Sequence, residues 1–169
     1  VAVLTDDQKS NSVSIIVDSD ILLHEMIDSC MSQSCIALDT EFIRTDTFFP
    51  KPALIQIFDG QQVYLVDPLN VEDLEPLKDL FLAPSVVKVM HSCSEDMEVF
   101  SCLVDCYPSP LVDTQVAANL VGYDFSISYQ RLVEITLGEQ LEKSETRSNW
   151  LNRPLTSQQL QYAADDVLW

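Results

Sequence analysis

The apolar run Cys35-Ile36-Ala37-Leu38 leads straight into Asp39-Thr40-Glu41. Such a run reads as a buried strand, with the two acids at its exit. Side chains alternate between the faces of a strand, so Asp39 and Glu41 project the same way and Thr40 the opposite way. Two carboxylates held together beside a core repel each other, and one metal ion touching both relieves the repulsion. The plainer reading, acids that merely end a strand, leaves that repulsion uncompensated.

An Asp-x-Glu pattern alone says little, because 17 Asp and 10 Glu in 169 residues make about one occurrence expected by chance. The chain has three. Asp73-Leu74-Glu75 and Asp96-Met97-Glu98 fall in amphipathic helical patterns and read as solvated faces, leaving only Asp39-Thr40-Glu41 after a buried strand.

Two further segments carry candidate chemistry. His91 through Glu98 follows the apolar strand Val86-Val87-Lys88-Val89-Met90, and Ser92 and Glu95 have capping-box spacing, which places Asp96 near a helix start. Taken alone, Asp96 is equally well explained as an acid stabilised by the helix dipole. The second segment, Tyr162-Ala163-Ala164-Asp165-Asp166, lies in a Gln/Leu/Ala-rich stretch opening at Thr156-Ser157, a helix with a cap. Positions 162 and 166 share one face of that helix. Of the five tyrosines only Tyr162 has an acid four residues on, although a core aromatic is the competing use. Asp165 faces elsewhere by about 100° and is assigned to solvent or structure. His91 reads as a strand-end or supporting residue rather than a direct participant.

The order of elements predicts an α/β fold in one domain. Strands are expected near 13–18, 35–42, 53–59, 62–67 and 86–91, with helical stretches around 20–31, 71–82, 94–104 and most of 111–169. Asp59-Gly60 turns 53–67 into a hairpin. A hairpin within a strand-helix alternation implies a mixed sheet flanked by helices, with the acids at one sheet edge. Tyr107-Pro108-Ser109-Pro110 reads as a tight loop.

Cys30, Cys35, Cys93, Cys102 and Cys106 form no Cys-x-x-Cys pair, which points to free, mostly buried thiols in a reducing compartment and away from zinc. Neither a signal peptide at Val1–Ser10 nor an apolar run of membrane-spanning length is evident, so the chain reads as soluble and cytoplasmic, with no membrane partner.

Taken in order, Ile36 through Phe42, Leu54 through Gly60, His91 through Phe100, Leu111 through Gln115, Lys143 through Arg147 with Trp150, and Tyr162 through Val167 resemble ribonuclease D. That family belongs to the tyrosine-containing branch of the DEDD 3′-5′ exonuclease superfamily. The resemblance covers most of the chain. It implies a ribonuclease H-like fold of the DnaQ-like 3′-5′ exonuclease type, and a 3′-5′ exoribonuclease that releases nucleoside 5′-monophosphates. It implies two divalent ions, Mg²⁺ or Mn²⁺, which suit an oxygen-only ligand set. Asp39 would bridge both ions, Glu41 and Asp166 would complete the ligands of the first ion, and Asp96 would hold the second ion, partly through water. Tyr162 would orient the attacking water. Single-stranded RNA 3′ ends and tRNA precursors are the implied partners. Ribonuclease D proteins continue beyond the position matching Trp169 into further catalytic sequence and helical HRDC domains, so residues 1–169 are expected to be a truncated exonuclease domain.

The net charge of −18 runs against a general nucleic-acid footprint, and two Mg²⁺ would leave it at about −14. Five of the nine basic residues nevertheless flank the acid motifs: Arg44, Lys51, Lys143, Arg147 and Arg153. Contact with substrate phosphate is expected for some of them. Phe48 and Phe49 are candidates for stacking terminal bases, with core packing as the other use; Phe42 is assigned to packing. Alternatives of other kinds are a DNA-directed exonuclease of the same superfamily, a non-catalytic nucleic-acid-binding homologue and an acidic Ca²⁺ module. For the last, no EF-hand-like loop is present.

Overall fold

The computed structural model describes residues 14–141 and 144–169. Among the described residues six strands and six helices follow one another as β1 (Ile15–Val17), α1 (Asp20–Met31), β2 (Cys35–Ile43), β3 (Lys51–Phe58), β4 (Val63–Val66) and α2 (Leu77–Leu82), then β5 (Val87–Met90), α3 (Ser94–Val104), β6 (Leu111–Asp113), α4 (Thr114–Leu120), α5 (Tyr129–Leu137) and α6 (Ser157–Leu168). The strands form one mixed sheet in the order β1-β4-β3-β2-β5-β6. β3 runs antiparallel to both of its neighbours, β2 and β4, while β1 pairs with β4, β5 with β2, and β6 with β5 in parallel.

Strand composition explains this order. Ala53 through Ile57 are all buried, as expected of a strand covered on both faces. β2 instead separates its residues by parity. Ile36 and Leu38 join the core packed under α1, α2 and α3, which includes Leu23, Ile55, Ile57, Phe81 and Phe100. Ala37 faces the second core, where α6 lays Ala163, Ala164 and Val167 on Leu54 and Leu65. Continuing that alternation puts Asp39 and Glu41 on the face beneath α6, and Thr40 on the other.

The expected β3–β4 hairpin forms. Asp59 closes it by accepting hydrogen bonds from the N–H groups of Gln61 and Gln62 at 2.8 and 2.7 Å, with Gly60 at φ +92° in the turn. Beyond Glu41 the β2–β3 pairing slips, so that Phe42 lies opposite Pro52 and Ala53 becomes the extra residue of a bulge. β2 therefore runs through the acids to Ile43 rather than ending at them.

Helices at 20–31 and 94–104 stand as expected, and Thr156 caps α6 in a capping box with Gln159. Three local expectations are corrected. The Ser92/Glu95 capping box does not form: the N-cap of α3 is Cys93, without a side-chain cap, and Ser92 adopts a left-handed φ of 58°. Asp113 organises this turn instead, accepting from Ser92 N and Cys93 N at 3.1 and 3.0 Å. The stretch 71–82 is helical only over Leu77–Leu82, because Asp20 takes the N–H groups of Glu72 and Asp73 and Asp73 takes that of Glu75. Finally, 111–169 opens with the strand β6, and its three helices are separated by long loops; Gly138, at φ +78°, ends α5.

All five cysteines are free. Only Cys30 and Cys93 are buried, and burial pushes both thiols up to about 12; Cys35 and Cys102 are exposed, which corrects the expectation of mostly buried thiols. Among the described residues no helix is long and apolar enough to cross a membrane.

Candidate active site

Strand β2 and helix α6 converge on one point. A carboxylate oxygen from each of Asp39, Glu41 and Asp166 lies within 4.8 Å of the others. They line a cleft of about 190 Å³ together with Leu38, His91, Tyr129, Gln130 and Tyr162. The α6 capping box sets the start of the helix that brings Tyr162 and Asp166 over the sheet.

The electrostatics are those of an uncompensated acid cluster. Burial, followed by the charges of Asp96, Asp166 and Glu41, holds the Asp39 carboxyl well above its ordinary range. Glu41 is pushed up to about 9 by burial and then by Asp166 and Asp96. Asp166 rises to about 7, chiefly through burial, although a hydrogen bond with Tyr162 opposes the rise. Three half-buried carboxylates that resist ionising together are relieved by a cation, and an all-oxygen donor set fits Mg²⁺ or Mn²⁺.

Asp96 stands apart from this trio. It sits in the first turn of α3, buried, and accepts a hydrogen bond from the Thr40 hydroxyl on the opposite face of β2 from Asp39 and Glu41. It remains near enough for its charge to raise Asp39. Tyr162 is held above its usual range by burial and then by the Asp166 charge, so its phenol keeps its proton at neutral pH. Thr146 lies 3.5 Å from the Tyr162 hydroxyl, and the Trp150 ring packs at 6.0 Å.

His91 is built into the cleft wall. Its Nε2 donates to the Ile127 carbonyl at 3.0 Å, Nδ1 lies 2.9 Å from the Thr114 hydroxyl, and its ring packs 5.6 Å from Tyr129. Burial lowers its pKa, consistent with a neutral, supporting ring. Asp165 is likewise structural: its side chain accepts from Gln161 and its carbonyl from the Tyr129 hydroxyl. Tyr129 and Gln130 carried no sequence signal beyond opening a helix after Ser128, and only the packing of α5 brings them to the cleft.

The basic candidates separate. Arg153 is corrected to an internal clamp. Its Nε and Nη2 donate to Asp67, Nη2 also to the Ala53 carbonyl freed by the bulge, and Nη1 to the carbonyls of Trp150 and Asn152. All five guanidinium donors are thereby used, leaving none for a phosphate. Arg44 is ion-paired with Glu98 at 2.6 Å, with Glu95 at 4.0 Å. Lys51 opens β3 and is exposed, as is Arg147; Lys143 lies outside the described residues. Phe48 and Phe49 are 86% and 62% exposed in the β2–β3 loop, their rings edge-on with centroids 5.0 Å apart. Neither joins the core.

With this geometry in hand, the comparisons agree on one family. The 3′-5′ exonuclease family matches residues 14–169. Ribonuclease D of Pseudomonas paraeruginosa is 49% identical over 148 residues, covering 83% of this chain and 39% of that protein. The crystal structure of Escherichia coli RNase D, described as an exoribonuclease involved in structured RNA processing, superposes with a TM-score of 0.90 at 42% identity, covering 92% of this chain and 42% of that one. The EXO domain of Aedes aegypti Nibbler superposes at 0.82 with 28% identity, covering 93% and 83%. The α/β fold, a mixed sheet flanked by helices, is shared with them. The chain spans about two fifths of the length of the ribonucleases D it matches.

Proposed function

Because the chain belongs to the 3′-5′ exonuclease family, among its ribonuclease D members, we propose that it hydrolyses RNA from the 3′ end and releases nucleoside 5′-monophosphates. The observation that carries this reading is the meeting of Asp39, Glu41 and Asp166 in one cleft with Tyr162 beside them. Asp39, Glu41 and Asp166 would hold one divalent ion, and Asp96, behind Asp39, would help hold a second. When bound, Mg²⁺ or Mn²⁺ supplies a nucleophilic water at neutral pH and neutralises charge on the leaving oxygen.

The chain's own residues do the rest. Tyr162 keeps its proton and shares it with Asp166, so its oxygen is left to accept from the attacking water and aim it. The Tyr129 ring gives the cleft an apolar wall that limits water. Phe48 and Phe49 would stack bases of a single strand, and Lys51 and Arg147 are the exposed basic candidates for phosphate. Arg44 could join them only by leaving Glu98. Structured RNA precursors such as tRNA are the proposed substrate class, in line with the description of the E. coli relative. The intact acid set argues against a non-catalytic binding homologue.

The test is a denaturing-gel time course on 5′-labelled single-stranded RNA and DNA with Mg²⁺ or Mn²⁺. A ladder shortening from the 3′ end of RNA, absent in Asp39→Ala, is expected. Preference for DNA would replace the substrate, and no cleavage of either by a folded wild type would overturn the reading. Tyr162→Phe should lose about 10²–10⁴-fold in kcat while keeping its Mn²⁺-induced rise in melting temperature.

A further inference from the structure

Gln56 sits in the middle of β3, paired across the ladder with Asp39. It is 0% exposed, and neither Nε2 nor Oε1 of its amide has a hydrogen-bond partner. Its strand neighbours Ala53, Leu54, Ile55 and Ile57 are buried and apolar, so packing alone calls for a hydrocarbon at this position. A buried amide without partners is a liability that native structures rarely carry without a use.

The register shows where that use lies. Residues directly paired in an antiparallel ladder project from the same face, with Cβ atoms about 4.5–5.5 Å apart. Gln56 therefore shares with Asp39 the face beneath α6, within side-chain reach of its carboxylate. Asp39 is the member of the cluster crowded by all the others, with Glu41, Asp166 and Asp96 all acting on it. An N–H donor on one of its oxygens would leave the other for a cation shared with Glu41 and Asp166.

We propose that Gln56 is a positioning residue for the acid cluster: its amide, which makes no hydrogen bond in this structure, turns when a divalent ion is held so that Nε2 donates to the Asp39 carboxylate and orients it toward the ion. This rests on the exonuclease reading above. The amide thus explains itself: it sacrifices some stability of the metal-free protein for the geometry of the site.

The experiment compares wild type, Gln56→Met and Gln56→Leu, the second guarding against a packing failure of the first. Melting temperature is measured in EDTA and across a Mn²⁺ titration, and RNA cleavage rates across a Mg²⁺ titration. Expected is a variant that melts at or above wild type in EDTA yet binds Mn²⁺ about 10–100-fold more weakly, the usual cost of removing a group that orients a metal ligand. Wild-type metal affinity and rate in a folded variant would overturn the proposal, as would a fall in EDTA melting temperature with metal affinity unchanged. If wild type itself cleaves with added metal, either result falls on Gln56 alone. A wild type that neither binds Mn²⁺ nor cleaves overturns the exonuclease reading with it.

Discussion

The Thr40 hydroxyl donates a hydrogen bond to Asp96, joining the strand that carries Asp39 and Glu41 to the helix that carries Asp96. Both residues are buried, so the bond works in a setting where water cannot replace it. Thr40 is the middle residue of Asp39-Thr40-Glu41; its neighbours face the cleft from one side of β2 while it braces Asp96 from the other. Thr40→Val keeps the shape and removes the donor. It should cost about 1.5–3 kcal/mol of stability and about tenfold or more in kcat, with Thr40→Ser retaining both. Thermal melts and single-turnover rates check this; an unchanged kcat would place Asp96 outside the reaction.

Metal-free protein should lose stability as pH rises. Folded Asp166 titrates at about 7 and Glu41 at about 9, both raised by burial first, so each is more easily protonated folded than unfolded. Their stabilising contribution is full below the unfolded carboxylate pKa of about 4 and is lost through the folded values. In EDTA the melting temperature should fall between about pH 4.5 and 9. Mn²⁺ should flatten that slope and bind more tightly at higher pH, because it competes with protons for the same oxygens. A flat EDTA profile would mean that the acids do not crowd one another.

Arg153→Ala tests the clamp. Asp67 is pushed up by burial but pulled further down by its hydrogen bonds to Arg153, the Leu69 N–H and Asn70, leaving a net lowered pKa. Removing Arg153 strands a buried carboxylate and the Ala53 carbonyl, at about 3 kcal/mol or more. Below its melting transition the variant should keep wild-type KM for RNA. A raised KM in the folded variant would return Arg153 to the substrate path.

Phe48→Ala and Phe49→Ala should leave the melting temperature within about 1 °C of wild type, since both rings are solvent-exposed. Each should weaken RNA binding by about 1–3 kcal/mol with little change in kcat. Fluorescence anisotropy with catalytically dead Asp39→Ala protein measures this directly. Unchanged affinity would remove stacking at this loop.

What the sequence determined by itself lay within a few residues of each position. Alternation put Asp39 and Glu41 on one face, helical spacing put Tyr162 with Asp166, Thr156 announced a cap and Asp59-Gly60 a turn. These follow from periods of 2 and 3.6 and from side chains bonding to nearby backbone. Where two local solutions competed, sequence reading chose wrongly: Ser92 had capping-box spacing, but Asp113, 20 and 21 residues away, took the Cys93 and Ser92 N–H groups. Tertiary structure alone decided that Arg153 spends its charge on Asp67, 86 residues distant, that Thr40 meets Asp96 across 56, and that Gln56 faces Asp39 in the ladder. Such pairings depend on strand register and helix docking, which bury apolar surface over the whole domain; a polar side chain's partner is settled only when that burial brings the two together.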